Sequence, residues 1–168
     1  IKSTGIDPFP HKFDFTNSIF DIINNQDSFV GKEISIGGRI ISLRKMGKSC
    51  FLNIINNHDK IQIYIKNINL PEDFYDKVVR NLDIGDIIGV QGTVFYTKTK
   101  ELSIKANNIC LLSKSIRPLP NLKEKEGKTF FSFDDKELRY RNRHLDLIAN
   151  KDVKNVFIGR SIIITSIR

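Results

Sequence analysis

The stretch ISIGGRIISLRKMGKSCFLNIINNHDKIQIYI, residues 34–65, decides the fold. It reads as three strands. In the third, Ile61, Ile63 and Ile65 alternate with Gln62 and Tyr64, the period of two of a half-buried strand. The second puts Cys50, Leu52 and Ile54 on one face and Phe51 and Asn53 on the other. With the aliphatic set turned to the core, Phe51 points outward on a face shared with Gln62. An aromatic on the polar side of a sheet, among basic residues, covers a neighbouring element or offers a stacking platform. Alternation alone leaves both open, since isolated exposed apolar residues are common.

Working back from this stretch, Gly37 and Gly38 in the first strand, about Glu33 to Leu43, suggest a bulge or a sharp bend. Before it, Pro8 and Pro10 set an extended entry, and Phe9, Phe13 and Phe15 are candidate anchors. Asn17 or Ser18 caps a short helix carrying Ile19, Phe20, Ile22 and Ile23. Working forward, Gly47 makes a turn that carries Arg44, Lys45 and Lys48, and Asn56 to Asp59 make the next, with His58 read as a turn residue. Pro71 opens a helix with the stripe Phe74, Val78 and Leu82, widened by Tyr75 and Val79, and Gly85 ends it. Ile87 to Tyr96 and Leu102 to Cys110 form a hairpin around the basic turn TKTKE, residues 97–101.

The order is three strands, a helix, then two strands. This is the pattern of an OB-fold, a five-stranded Greek-key barrel whose second and third strands and flanking loops bind oligonucleotides. It places Phe51 and Gln62 on the binding face and the turns at 44–48 and 98–101 on its rim. A base stacked on a phenyl ring contributes roughly 1–3 kcal/mol. Nearby lysines add salt-sensitive attraction for phosphate.

Composition agrees with such a partner. The 168 residues carry a net charge of +8, and 40% are apolar, enough for a core without staples. Two cysteines, Cys50 and Cys110, sit in strand-like surroundings without metal-ligand spacing and read as reduced core residues. No metal site is expected. No apolar run has the length of a membrane span, so no membrane partner is expected.

Four regions follow: an N-terminal extension with a short helix (1–30), the barrel (31–115), a linker or insertion (116–134) and C-terminal helices (135–168). The charge-dense KEKEGK, residues 123–128, reads as a solvated turn. Asp134 and Glu137 suggest a capping box for a helix from about Asp135 to Ala149. A last helix begins near Asp152, with Val156, Phe157, Arg160, Ile163, Ile164 and Ile167 at helical spacing. Its stripe is uncapped at Arg168, from which a truncated chain is expected.

Several segments together resemble the lysyl-tRNA synthetase family of class II aminoacyl-tRNA synthetases. They are DPFPHKF (7–13), GGRIISLRKMGKSCF (37–51), KIQIYI (60–65), GDIIGVQGTVFYTKTKELSI (85–104), LLSKSIRPLP (111–120), LRYRNRHLDLIAN (138–150) and NVFIGRSIIITSIR (155–168). The arginine-rich helix also occurs in the aspartyl and asparaginyl relatives, and ELSI followed by LLSK and RPLP favours the lysyl member. The resemblance implies a barrel that reads the anticodon of tRNA(Lys), with Phe51 stacking a uracil, Arg44 holding base or phosphate, and Gln62 and Glu101 reading base edges. An ionised Glu101 only accepts, which suits the uracil imide N–H. Lys48, Lys98 and Lys100 would meet phosphates.

The resemblance also implies a full-length homodimeric enzyme that joins lysine to tRNA with ATP and Mg2+. None of its catalytic residues is expected in this chain, which should be inactive alone. The rival readings are a free-standing OB-fold protein for single strands and a protein-interaction domain centred on Phe51. The cytoplasm is the expected compartment, with mitochondrion or plastid as the alternative. Two departures from the family stand out. Lys100 replaces a glycine before the ELSI glutamate, so the hairpin turn is expected to be altered, and KEKEGKTFFSF (123–133) lengthens the segment before LRYR.

Overall fold

The computed structural model describes residues 7, 9–57, 59–70, 74–117, 119, 122–125, 128–131 and 135–168. The chain divides into two compact units, Ile1–Arg117 and Pro118–Arg168.

The first unit is built on five strands: β1 (Glu33–Met46), β2 (Ser49–Asn56), β3 (Asp59–Lys66), β4 (Ile87–Tyr96) and β5 (Leu102–Ser113). They close into a barrel in the order β1-β2-β3-β5-β4. Closure comes from two pairings. β1 is long enough to serve two neighbours, β4 through Glu33–Arg39 and β2 through Arg39–Met46. β3 and β5 join in parallel at Gln62–Ser103, Ile63–Ile104 and Tyr64–Lys105. The interior is branched aliphatic, including Ile36, Ile40, Leu52, Ile54, Ile63, Ile65, Ile88 and Ile104, each no more than 1% exposed. Each such side chain contributes roughly 1.5–3 kcal/mol by leaving water.

Of three register shifts in the barrel, two decide which side chains of the site and of β5 face out, and neither lies at Gly37 and Gly38, where a bulge is expected. In β1 the register slips between Ile40 and Ser42. Before it the even positions Ile34, Ile36 and Ile40 are buried; after it the even positions Ser42 and Arg44 are exposed. A bulge adds one residue to one strand and so exchanges its faces. In β5 the partners of Gln91 and Gly92 are Asn108 and Ala106, which skips Asn107. Ile104 and Ala106 face in before the skip, Ile109 and Leu111 after it. Cys110 is therefore turned outward and only half-buried, which corrects its reading as a core residue. Gly37 and Gly89 instead seat rings. A Cβ on Gly37 would lie 2.3 Å from Phe15 Cε1, and one on Gly89 2.5 Å from Phe13 Cζ.

Two short helices precede the barrel, α1 (Ile19–Asn24) and α2 (Gln26–Phe29). Ser18 caps α1, its Oγ accepting from the Asp21 N–H at 3.1 Å, and Ile19 and Ile22 enter the barrel core. Between β3 and β4 the expected helix is a single turn, α3 (Phe74–Lys77), followed by a 3₁₀ turn at Val79–Asn81. Pro71, Glu72, Asp73 and His58 lie outside the described residues. Tyr75, Val78, Val79 and Leu82 are buried as the stripe requires.

In the second unit, the stretch read as a linker contains a hairpin, β6 (Leu122–Lys125) paired with β7 (Lys128–Phe131). Three helices follow: α4 (Lys136–Arg141), α5 (Arg143–Ala149) and α6 (Lys151–Ile167). The helix expected to run unbroken to Ala149 is interrupted at Asn142. Its cap is Asp135, whose carboxylate accepts from the Leu138 N–H at 2.8 Å, and not Asp134, which lies outside the described residues.

Candidate nucleic-acid interface

The outward face of β1, β2 and β3 is built by register. Arg44 stands opposite Phe51, and Phe51 opposite Tyr64, with Lys105 of β5 next in the row. The β1 bulge brings Arg44 out; uninterrupted alternation from Ile40 would aim it at the core. Phe51 is half-buried, its ring centroid 4.8 Å from that of Tyr64 at an interplanar angle of 33°. Tyr64 also lies 6.3 Å from the Phe95 ring. Three aromatics thus form a continuous surface of tilted rings in contact that fixes the Phe51 ring. Tyr64 and Phe95 were not singled out from the sequence. Tyr64 shares the parity of Gln62, and that signal was available.

Gln62 lies diagonally from Phe51, opposite Asn53. Its Nε2 donates to Glu101 Oε2 at 2.9 Å, and its Oε1 accepts from the Ser103 hydroxyl at 2.9 Å. The β3–β5 pairing makes this possible, because it brings the turn preceding β5 alongside β3. Glu101 is thereby tied to Gln62. The relay leaves one N–H of Gln62 and the Oε1 of Glu101 for a ligand. Asn53 is held beside it, its Nδ2 donating to Ser42 Oγ at 2.8 Å.

The rim carries the lysines unevenly. Lys98 and Lys100 are exposed on the β4–β5 turn beside Glu101. Lys48 is exposed at the β1–β2 turn, where its carbonyl accepts from the Asn67 N–H. Lys45, read as part of the same basic turn, belongs to β1 and faces away. Its Nζ donates to the Arg80 and Leu82 carbonyls at 2.7 and 3.1 Å and so closes the 3₁₀ turn. The turn at Lys100 keeps a glycine-like geometry with a lysine in it. Lys100 has φ 60°, its N–H donates to the Thr97 carbonyl, and the Glu101 N–H reaches Thr97 Oγ1. A positive φ at a lysine carries strain that a glycine there would avoid.

Among the described residues no group of three His, Cys, Asp or Glu converges to hold a metal. The Cys50 thiol is pushed up to about 11 by burial, against the lowering effect of Lys45, so it is protonated and unreactive at neutral pH. No helix among the described residues is long and apolar enough to cross a membrane. What the face can do is stack a planar ring on Phe51, present an amide and a carboxylate to its edge, and attract phosphate.

Comparison with known proteins agrees with the barrel fold. A family profile for the tRNA anti-codon domain, described as an OB-fold nucleic acid binding domain, matches residues 34–112. Over its whole length the chain is 43% identical to the lysine–tRNA ligase of Azobacteroides pseudotrichonymphae and 40% identical to that of Porphyromonas gingivalis. Over 95% of its length it is 46% identical to the lysine–tRNA ligase of Wigglesworthia glossinidia brevipalpis. It covers 35%, 31% and 32% of those proteins respectively, so the chain spans about a third of the length of the curated relatives it matches.

Proposed function

We infer that this chain, whose residues 34–112 belong to the OB-fold tRNA anticodon-binding family, reads a lysine anticodon for a lysine–tRNA ligase. The single observation that carries the specificity is the Glu101–Gln62–Ser103 relay beside the Phe51 ring. In this reading a uracil stacks on Phe51, as splayed single-stranded bases stack on aromatic side chains. Glu101 accepts the imide N–H, and the remaining Gln62 N–H donates to a uracil carbonyl. A base that presents an acceptor where uracil presents its imide N–H would meet the carboxylate lone pairs and be refused. Arg44, beside Phe51 in register, holds base or backbone. Lys48, Lys98 and Lys100 draw phosphates without reading sequence.

The ligation of lysine to tRNA, with ATP and Mg2+, belongs in this reading to the longer enzyme, as does its homodimeric state. Exposed Ile162, Ile163 and Ile167 on α6 support a dimer contact there. The cytoplasm is the proposed compartment.

The test is a titration of the chain with anticodon stem-loops carrying UUU or GUC. The UUU loop should bind more tightly, and Phe51→Ala should weaken it by roughly 1–3 kcal/mol. Equal affinities for the two loops would overturn the reading. A free-standing single-strand binder predicts that equality. A protein-interaction surface predicts that Phe51→Ala changes nothing in RNA binding.

A further inference from the structure

Glu101 and Gln62 line a half-open cleft of about 230 Å³ together with Asn53, Lys60, Ile61 and Leu102. Ile23 of α1 and Gln26 of α2, which lie outside the stretch that matches the barrel family, supply a second part of its lining. This second wall is fixed in place. Gln26 Oε1 accepts from the Tyr96 hydroxyl at 2.9 Å. Val30 and Val94 form a parallel bridge, the Gly31 N–H donates to the Val94 carbonyl, and the Val94 N–H to the Lys32 carbonyl. Below it, Ile19 and Ile22 are locked in the core.

We propose that the N-terminal helices complete a nucleobase pocket. Ile23 and Gln26 set its width, so that the pyrimidine read by Glu101 and Gln62 fits and a purine does not. The volume is below the roughly 300–1,000 Å³ that drug-sized ligands occupy, and suits a single base. An edge-reading carboxylate alone chooses among hydrogen-bond patterns. A second wall adds a limit on ring size, a separate axis of discrimination. Gln26 is a specificity residue that touches the base. Tyr96 is a positioning residue that acts through Gln26, whose Oε1 accepts from its hydroxyl.

This inference rests on anticodon reading, and the experiment separates the two. The complete 168-residue chain is titrated with UUU stem-loops in which each anticodon base in turn is replaced by C or by A. Gln26→Ala is expected to raise the affinity for A at one position by roughly tenfold, the order that a methylene or two of pocket width decides. It should do so at the position where Gln62→Ala relaxes preference. Gln26→Glu keeps the width and should keep the exclusion of A. Tyr96→Phe should relax the same position by less. Unchanged A-to-U preference at every position in Gln26→Ala, with Phe51→Ala still weakening binding, would overturn the pocket and leave anticodon reading intact. A wild-type chain that binds all the loops alike would overturn both.

Discussion

Among the described residues, the barrel unit and the helical unit each bury one carboxylate completely, and they do it for opposite reasons. In the barrel, Asp86 is 0% exposed. Its oxygens accept from the Asp83 and Ser115 N–H groups and from Lys114 Nζ, all at 2.7–2.8 Å. For Lys114, burial works against the charge, but hydrogen bonds to Asp83 and Asp86 outweigh it and raise its pKa. This fastener ties the end of β5 to the start of β4, beside a large aliphatic core. In α4–α6, Asp146 is likewise 0% exposed, yet it is the only buried residue those helices contain. Arg139 Nε, Arg143 Nη1 and Asn150 Nδ2 all converge on it. Arg143 is itself stacked near the rings of Tyr140 and Phe157. The barrel is therefore held by apolar packing with a charge added, and helices α4–α6 by a charge network with little packing among themselves.

The sharpest way to break that contrast is Asp146→Asn. Removing one partner of a buried ion network costs roughly 3–5 kcal/mol, because the remaining charges lose their compensation. Residues 136–167 should lose amide-exchange protection while the barrel keeps its own. The pH dependence has a definite sign. Burial pushes the Asp146 carboxyl up, but the Asn150 and Arg139 hydrogen bonds and the Arg139 and Arg143 charges prevail and hold it below the usual carboxylate range. A depressed folded pKa contributes stability that is complete above the unfolded value, about 3.9, and is lost as pH falls through the folded one. Wild-type helical signal should therefore decline below about pH 4, and the Asn variant should lack that limb. Equal loss of barrel protection would mean the two units unfold as one.

The complementary cut is Ile63→Ala. Ile63 is 0% exposed at the β3–β5 closure, and deleting a buried isoleucine to alanine costs about 2–5 kcal/mol in transfer and cavity terms. Barrel amides should lose protection uniformly and the α4–α6 amides should not. If the helices melt with the barrel, the electrostatic account of the second unit fails.

The same division governs what could be read from the sequence. Alternation in β2 and β3 assigns the faces of Phe51 and Gln62 because one face is apolar without exception. It fails at Arg44 and Cys110, where bulges after Ile40 and Ala106 exchange the faces. A bulge leaves no compositional mark when the extra residue is Ile41 or Asn107, and of the paired glycines in β1, Gly37 accommodates Phe15 and Gly38 lies against Ile54 and Ile55 of β2 instead. The Gln62–Glu101 bond depends on a parallel pairing across 39 residues, beyond the reach of any local pattern. The wall formed by Ile23 and Gln26 was hidden for the same reason. In the helical unit, apolar spacing suggested packing, while the organising residue is an aspartate in an unremarkable LDL.

The smallest effect tests whether strain in the barrel is kept for function. Lys100 holds φ 60°, a conformation that costs a non-glycine residue roughly 1–2 kcal/mol, at the turn that aims Glu101 at Gln62. Glycine removes that strain but adds unfolded-chain entropy, which offsets part of the gain. Lys100→Gly should therefore raise barrel stability by about 1 kcal/mol in a urea titration and leave α4–α6 unaffected. It should also flatten the salt dependence of RNA binding, by roughly the 0.7 in log–log slope expected of one phosphate contact to a single strand. Lys100→Ala separates the two effects, since it removes the charge and retains the strain. Lower salt dependence in both variants, with higher stability only in the glycine one, would mean that the lysine is retained for its charge at a cost in stability. A glycine variant no more stable than wild type would show that the turn relaxes freely, and that the rim stores no strain for the helical unit to be contrasted with.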